Sequence, residues 1–270
     1  MFENKSTIIF DMDGTLIDSV GVWNQVDLQL IQTLGGSAMA EGDVQQRRER
    51  FLKEHRDAEK PYLSYCEDLG KTYASAWQAE DILQERYRIA QHFLKEVVDY
   101  KPGAPEVLHA FKEDGKTLVI ASTTRRGNME VYRKENKNIR GKAPLDSCFT
   151  RIYTQEDAPE IKPSPAIYLK VLGDMGLSKE ECFIFEDSLA GATAARNAGI
   201  DFAVLHDRYS DADRKQLDQM TPYQFAHWKD VLSVIRREGR FPSIAFSKSL
   251  ACKSTSESSE ELGVKVRRIK

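Results

Sequence analysis

Two aspartates one residue apart, Asp11 and Asp13, follow the apolar run Ile8-Ile9-Phe10 and precede Gly14. Carboxylates this close need a cation, a hydrogen-bond network or a shared proton. Further along, Ser122-Thr123-Thr124 follows another apolar run, and Lys162 stands in Ile161-Lys162-Pro163-Ser164-Pro165. Glu186-Asp187-Ser188 follows Cys182-Phe183-Ile184-Phe185. Several carboxylates with no matching basic cluster favour a hard cation held by oxygen, most simply Mg²⁺. Hydroxyls and exposed N–H groups beside a lysine favour a phosphate. A cation, a phosphate and a spare carboxylate make a phosphoryl-transfer site, in which a carboxylate can be the nucleophile. Each segment alone has a plainer reading. Ser122 could bond its own backbone, Lys162 could be a surface lysine, and Glu186-Asp187 could cap a helix. Those readings weaken together, because the clusters end successive strands.

The elements that would position these groups alternate. Residues 7–10, 117–121, 149–153, 182–185 and 202–205 read as short strands, buried where the run is wholly apolar. Helices are expected at about 105–113, 128–134, 165–175 and 190–198, the last stopped by Gly199. Strands alternating with helices predict right-handed crossovers and a parallel sheet, with every strand's C-terminal end on one edge. The fold class is therefore α/β with a Rossmann-like core. Residues 20–95 break the alternation. Trp23, Val26, Leu30, Ile31 and Leu34 recur at helical spacing, and Ile82, Leu83, Ala90, Phe93, Leu94 and Val97 are expected to face a core along a helix from about 79 to 98. This block is expected to be an inserted all-helical domain, 19–98, over a core built from 1–18 and 99–240. Residues 241–270, rich in Ser and Lys, are expected to be a flexible tail.

Composition narrows the partners. Of 270 residues, 41% are hydrophobic and 30% charged, enough for one large or two moderate domains. The net charge of −3 gives no global field for nucleic acid or anionic membrane. The cysteines Cys66, Cys148, Cys182 and Cys252 are far apart and include no CxxC, so free thiols in a reducing compartment are expected. The start of the chain is too short for a signal peptide before the first strand, and no apolar run approaches the roughly 20 residues of a membrane span. A cytoplasmic, monomeric enzyme acting on a small phosphorylated metabolite is the expectation.

Asp11-Met12-Asp13-Gly14-Thr15-Leu16, Ser122, Lys162-Pro163 and Glu186-Asp187-Ser188-Leu189-Ala190-Gly191 resemble the motifs of the haloacid dehalogenase (HAD) superfamily. The similarity is greatest to its subfamily I phosphatases and β-phosphoglucomutase-like branch, and it spans about residues 6–206. The resemblance implies a Rossmann-like core with a helical cap inserted after the first motif, and a phosphatase working through an aspartyl-phosphate. It implies Asp11 as nucleophile and Asp13 as general acid/base whose backbone carbonyl also binds Mg²⁺. Ser122 and the Thr123 amide would hold phosphate oxygens, and Lys162 would offset charge. Asp187 would hold Mg²⁺ with Asp11, and Glu186 would assist.

Asp13 argues against carbon–halogen cleavage, since the superfamily's dehalogenases lack an acid there. A histidine of the β-phosphoglucomutases falls at Trp23, which favours a phosphatase over a hexose-phosphate mutase. A non-catalytic phosphate-binding or regulatory protein is the remaining alternative, and keeping both Asp11 and Asp13 argues against it. Thr124-Arg125-Arg126 is unusually basic, so it could hold a second anionic group of the substrate or be a solvated loop. Arg47, Arg48 and Arg50 carry the same ambiguity. Asp18-Ser19 reads as a hinge into the helical block, outside the site.

Overall fold

A computed structural model describes residues 1–55 and 58–237. The expected tail at 241–270 and Cys252 lie outside the described residues. The strands are β1 (Thr7–Phe10), β2 (Thr117–Ala121), β3 (Arg151–Tyr153), β4 (Cys182–Glu186), β5 (Asp201–Leu205) and β6 (Gln224–Phe225). They form one sheet in the order β3-β2-β1-β4-β5-β6, parallel throughout. β1 lies between β2 and β4, with Phe10 in register with Ile120 on one side and Phe185 on the other. The chain leaves β1 toward β2 and β3, then crosses back to β4 beyond it. That reversal opens a crevice at the carboxyl ends, where such sheets bind ligands.

Between β1 and β2 run α1 (Val22–Thr33), α2 (Glu41–Glu54), α3 (Pro61–Thr72) and α4 (Ala79–His92), with a π-turn at Phe93–Val97. After them come α5 (Ala104–Glu113), α6 (Arg126–Lys134), α7 (Lys137–Lys142) and α8 (Leu145–Cys148). The chain ends with α9 (Ala166–Met175), α10 (Leu189–Ala198), α11 (Arg214–Leu217) and α12 (Trp228–Arg237). None of these helices is long and apolar enough to cross a membrane. Cys66, Cys148 and Cys182 are buried free thiols.

Period-two alternation divides the core. Phe10 and Phe185 stack on one face, centroids 5.5 Å apart, and Trp228 packs on Phe185 at 4.9 Å. Ile9, Val119 and Ile184 meet Tyr168 and Val171 of α9 and the alanines 192, 194 and 195 of α10 on the other face. Those small residues bring α10 close to the sheet end.

In the helical block, Val26, Leu30 and Ile31 of α1 are buried, as are Tyr65 and Leu69 of α3 and Ile82 and Ile89 of α4. Asp27 is buried among them and paired on both oxygens. Its Oδ1 accepts from Arg86 Nε at 2.7 Å and its Oδ2 from Arg48 Nη1 at 2.8 Å. The expected burial of Val97 is not found, since the residue is 46% exposed. The π-turn is the reason. Val98 N–H donates to Phe93 O, one residue further back than in an α-helix, and this rotates the apolar stripe.

Candidate active site

The ends of β1 and β4 bring the acids together. Asp11 continues β1, with its N–H on Phe185 O at 3.0 Å. Glu186 closes β4 and Asp187 follows it. One oxygen from each of Asp11, Glu186 and Asp187 lies within 4.8 Å of the others, and all three residues are buried. Lys162 reaches into this group from the loop before α9. Its Nζ donates to Asp11 Oδ1 at 2.5 Å, to Glu186 Oε1 at 2.6 Å and to Ala121 O at 2.9 Å. Thr15 Oγ1 donates to Asp187 Oδ1 at 2.7 Å. Gly14, at φ +84°, makes room: a Cβ there would sit 2.4 Å from Asp187 Oδ2.

The electrostatics show what this set can hold. Burial pushes the Asp11 carboxyl well up, against Lys162, and Glu186 and Asp187 push it further. Burial, then Glu186, raises Asp187 to about 7. Lys162 resists its own burial because Asp11 and Glu186 hold its proton, well above the ordinary lysine value. Three buried carboxylates against one ammonium leave excess negative charge. The donors are all hard oxygens, so the residues present fit a Mg²⁺-like cation.

Asp13 stands apart from that group, half-buried. Its Oδ1 accepts from Ser19 Oγ at 2.5 Å and from Tyr132 OH at 3.5 Å, and its Oδ2 accepts from Thr124 Oγ1. Ser122 is buried, and its Oγ donates to Thr124 Oγ1 at 2.9 Å while accepting from Thr124 N–H. Ser19 therefore belongs to the site, which corrects its reading as part of a hinge outside it. The turn at Gly14, closed by Gly14 N–H on Ile17 O, folds the chain back so that residue 19 meets residue 13.

A cavity of about 460 Å³ opens between Asp13 and the helical block. Thr123, Thr124 and Arg125 line it from below, and Trp23, Tyr62 and Arg86 from above. The Arg86 guanidinium lies between two rings, 4.8 Å from the Trp23 centroid and 5.0 Å from that of Tyr62. The structure separates the two loop arginines. Arg125 borders the cavity, whereas Arg126 is bonded to Asp157 through Nη2 at 2.9 Å. Arg47 is bonded to Asp68 and Thr72, and Arg48 to Asp27 and Asn24. Neither lines this cavity, nor does Arg50.

Spacing alone does not mark Thr15, Ser19, Arg86, Tyr132 and Tyr168 as site residues. Thr15 and Ser19 sit close to Asp13 in sequence, and that proximity is the available signal. The two tyrosines sit on helix faces that periodicity marks only as core.

The comparisons agree with this architecture. Residues 8–205 match the family model described as haloacid dehalogenase-like hydrolase, and the chain belongs to that family. It is 28% identical over 224 residues to the protein CbbY of Rhodobacter capsulatus, across 76% of this chain and 87% of that one. It is 25% identical over 232 residues to the phosphorylated carbohydrates phosphatase of Thermotoga maritima, across 85% and 97%. In three dimensions it resembles CbbY of Rhodobacter sphaeroides, solved in complex with phosphate. The TM-score is 0.59 at 20% identity, covering 84% of this chain and 96% of that one. The α/β fold is shared, and the protein is a HAD-like hydrolase.

Proposed function

We propose that this hydrolase cleaves a phosphate monoester of a small sugar or polyol through an aspartyl-phosphate. One observation carries the reading: Lys162 is fixed on Asp11, while Asp13, two residues on, is held separately at the floor of a cavity. The names of the relatives, a phosphorylated carbohydrates phosphatase among them, support the substrate class.

An Asp11 carboxylate oxygen attacks phosphorus as the ester P–O bond breaks. Asp13 gives a proton to the departing oxygen, then takes one from the water that hydrolyses the acyl phosphate. Ser122 and the Thr123 N–H hold the phosphoryl oxygens, where charge accumulates in the transition state, and the Lys162 ammonium beside Asp11 offsets that charge. Asp11, Asp187 and the Asp13 backbone carbonyl would hold Mg²⁺. When bound, the ion would neutralise phosphoryl charge.

The helices from α1 to α4 act as a cap, and they select the substrate. The Nη atoms of Arg86 make no hydrogen bond with any described residue, and Arg125 faces the same space, so both can receive hydroxyls or a second anionic group. Trp23 and Tyr62 line the same cavity and add apolar ring surface for the C–H groups of a sugar. Trp23 has no imidazole to serve a mutase, which favours hydrolysis.

The test is a Mg²⁺-dependent assay on p-nitrophenyl phosphate and a panel of sugar, polyol and nucleoside phosphates. Turnover is expected in the wild type and none in Asp11→Asn. A folded wild type inactive on the whole panel defeats the proposal.

A further inference from the structure

The adjacent acids Glu186 and Asp187 face different neighbours. Glu186 follows Ile184 on the sheet face covered by α9 and α10. Asp187 has turned toward Thr15 and Gly14. Every oxygen of the Glu186 carboxylate already has a protein donor. Oε1 accepts from Lys162 Nζ at 2.6 Å and from Tyr168 OH at 2.5 Å, and Oε2 from Asp187 N–H at 3.3 Å. The Glu186 side chain is 1% exposed and that of Lys162 5%, and Tyr168 is fully buried. The Tyr168 ring also lies under the ammonium, with Nζ 5.2 Å from its centroid. Gly191 completes the slot: a Cβ there would fall within 1.9–2.1 Å of the Glu186 carboxylate atoms.

We propose that Glu186 is not a metal ligand but, together with Tyr168, a tether that aims Lys162 at Asp11. Tyr168 fixes the carboxylate with a hydrogen bond and the ammonium with its ring. Lys162 is then held from behind by Glu186 and Ala121 O, and its remaining donor is directed at Asp11. Swinging Glu186 toward a cation would strand the Tyr168 hydroxyl in the core and leave Lys162 one contact short, both unfavourable. Glu186 and Tyr168 are positioning residues for Lys162. Their consequence for turnover rests on the phosphatase reading above, whereas the assignment of the metal ligands does not.

The experiment compares full-length wild type with Glu186→Gln, Tyr168→Phe and Asp187→Asn. Mg²⁺ is titrated into metal-free protein by calorimetry, and kcat and KM are measured on p-nitrophenyl phosphate. Glu186→Gln and Tyr168→Phe are expected to hold the Mg²⁺ Kd within about threefold, and Asp187→Asn to weaken it by about tenfold or more. Tyr168→Phe is expected to lower kcat by about tenfold with a smaller change in KM, as misplacement of a charged group does. Gly191→Ala, which crowds the Glu186 carboxylate and keeps the Tyr168 hydroxyl, should give the same pattern and stands in if Tyr168→Phe does not fold. Glu186→Gln weakening Mg²⁺ as strongly as Asp187→Asn would make Glu186 a ligand and overturn the proposal. An unchanged kcat in both Tyr168→Phe and Gly191→Ala would remove the tether. A wild type with no phosphatase activity sinks the functional reading alone, and the calorimetric comparison still decides the role of Glu186.

Discussion

At the scale of single residues, neighbours in sequence do different work because each meets a different environment. Arg125 and Arg126 are the clearest pair. Arg126 forms an exposed ion pair with Asp157, its side chain 59% accessible, and such pairs are worth at most about 1 kcal/mol. Arg125 borders the cavity beside Asp13. Arg125→Ala is expected to raise KM about tenfold or more for the best ester of the panel, the loss of a hydrogen bond to a charged group. The same change should alter turnover of an aryl phosphate little, and Arg126→Ala should alter neither. Steady-state kinetics on both substrates decides this, and equal small effects of the two substitutions would remove the role of Arg125. Gly14 is under a different constraint. Its positive φ and the approach of Asp187 leave no space for a methyl group. Gly14→Ala should destabilise by at least about 1–2 kcal/mol from backbone strain alone. It should also weaken Mg²⁺ binding, because the Asp187 carboxylate must move. Urea titration and calorimetry measure the two effects separately.

At the scale of elements, the helical block is organised around a buried charge rather than around apolar contacts alone. Asp27 of α1 is bridged to α4 by Arg86 and to α2 by Arg48. Removing it takes the carboxylate from two guanidinium groups, Arg86 at 3% exposed and Arg48 at 12%, and leaves Arg48 only its bond to Asn24. Asp27→Ala should therefore destabilise the fold by about 3–5 kcal/mol. It should also free Arg86 from its place between Trp23 and Tyr62, so KM should rise along with the loss in Tm. Intact KM with lowered Tm would confine Asp27 to a structural role. Much of this architecture is legible in the chain. β1, β2 and β4 are unbroken apolar runs, and the acids and hydroxyls stand directly at their ends, where strand geometry alone determines their edge. What is illegible depends on single polar atoms or on distant contacts. Trp228 donates its indole N–H to Thr15 O, 213 positions away, and nothing local announces that β6 completes the sheet or that α12 packs on it. The hydroxyls of Tyr132 and Tyr168 lie on helix faces whose spacing reports burial and nothing about a bonding partner. Val97 fails for another reason: a π-turn breaks the period on which its placement rested.

At the scale of the whole molecule, the buried acid cluster couples folding to pH and to cation. The unfolded chain releases the Asp187 proton near pH 4, whereas the metal-free folded protein holds it to about 7. Between those values the folded state binds more protons than the unfolded state. Stability of the metal-free protein therefore falls as pH rises through this window, by an amount on the order of a few kcal/mol, and levels off above it. Asp11, raised in the same sense by burial, adds to the slope. A divalent cation binds the ionised carboxylates and so competes with those protons. Its binding stabilises the folded state in proportion to RT ln(1 + [L]/Kd), and Kd tightens as the protons leave. In EDTA the Tm should consequently decline between about pH 5 and about pH 8, apart from any effect of other groups, and Asp187→Asn should flatten that decline. The Tm gained on adding Mg²⁺ should be larger at the upper pH than at the lower one. Calorimetric scans of wild type and Asp187→Asn, with EDTA and with MgCl₂ at both pH values, measure all of these quantities. A Mg²⁺ increment independent of pH would place the cation away from Asp11 and Asp187. An increment that grows with pH in the wild type and vanishes in Asp187→Asn ties the charge excess at the end of β1 to the ion that relieves it.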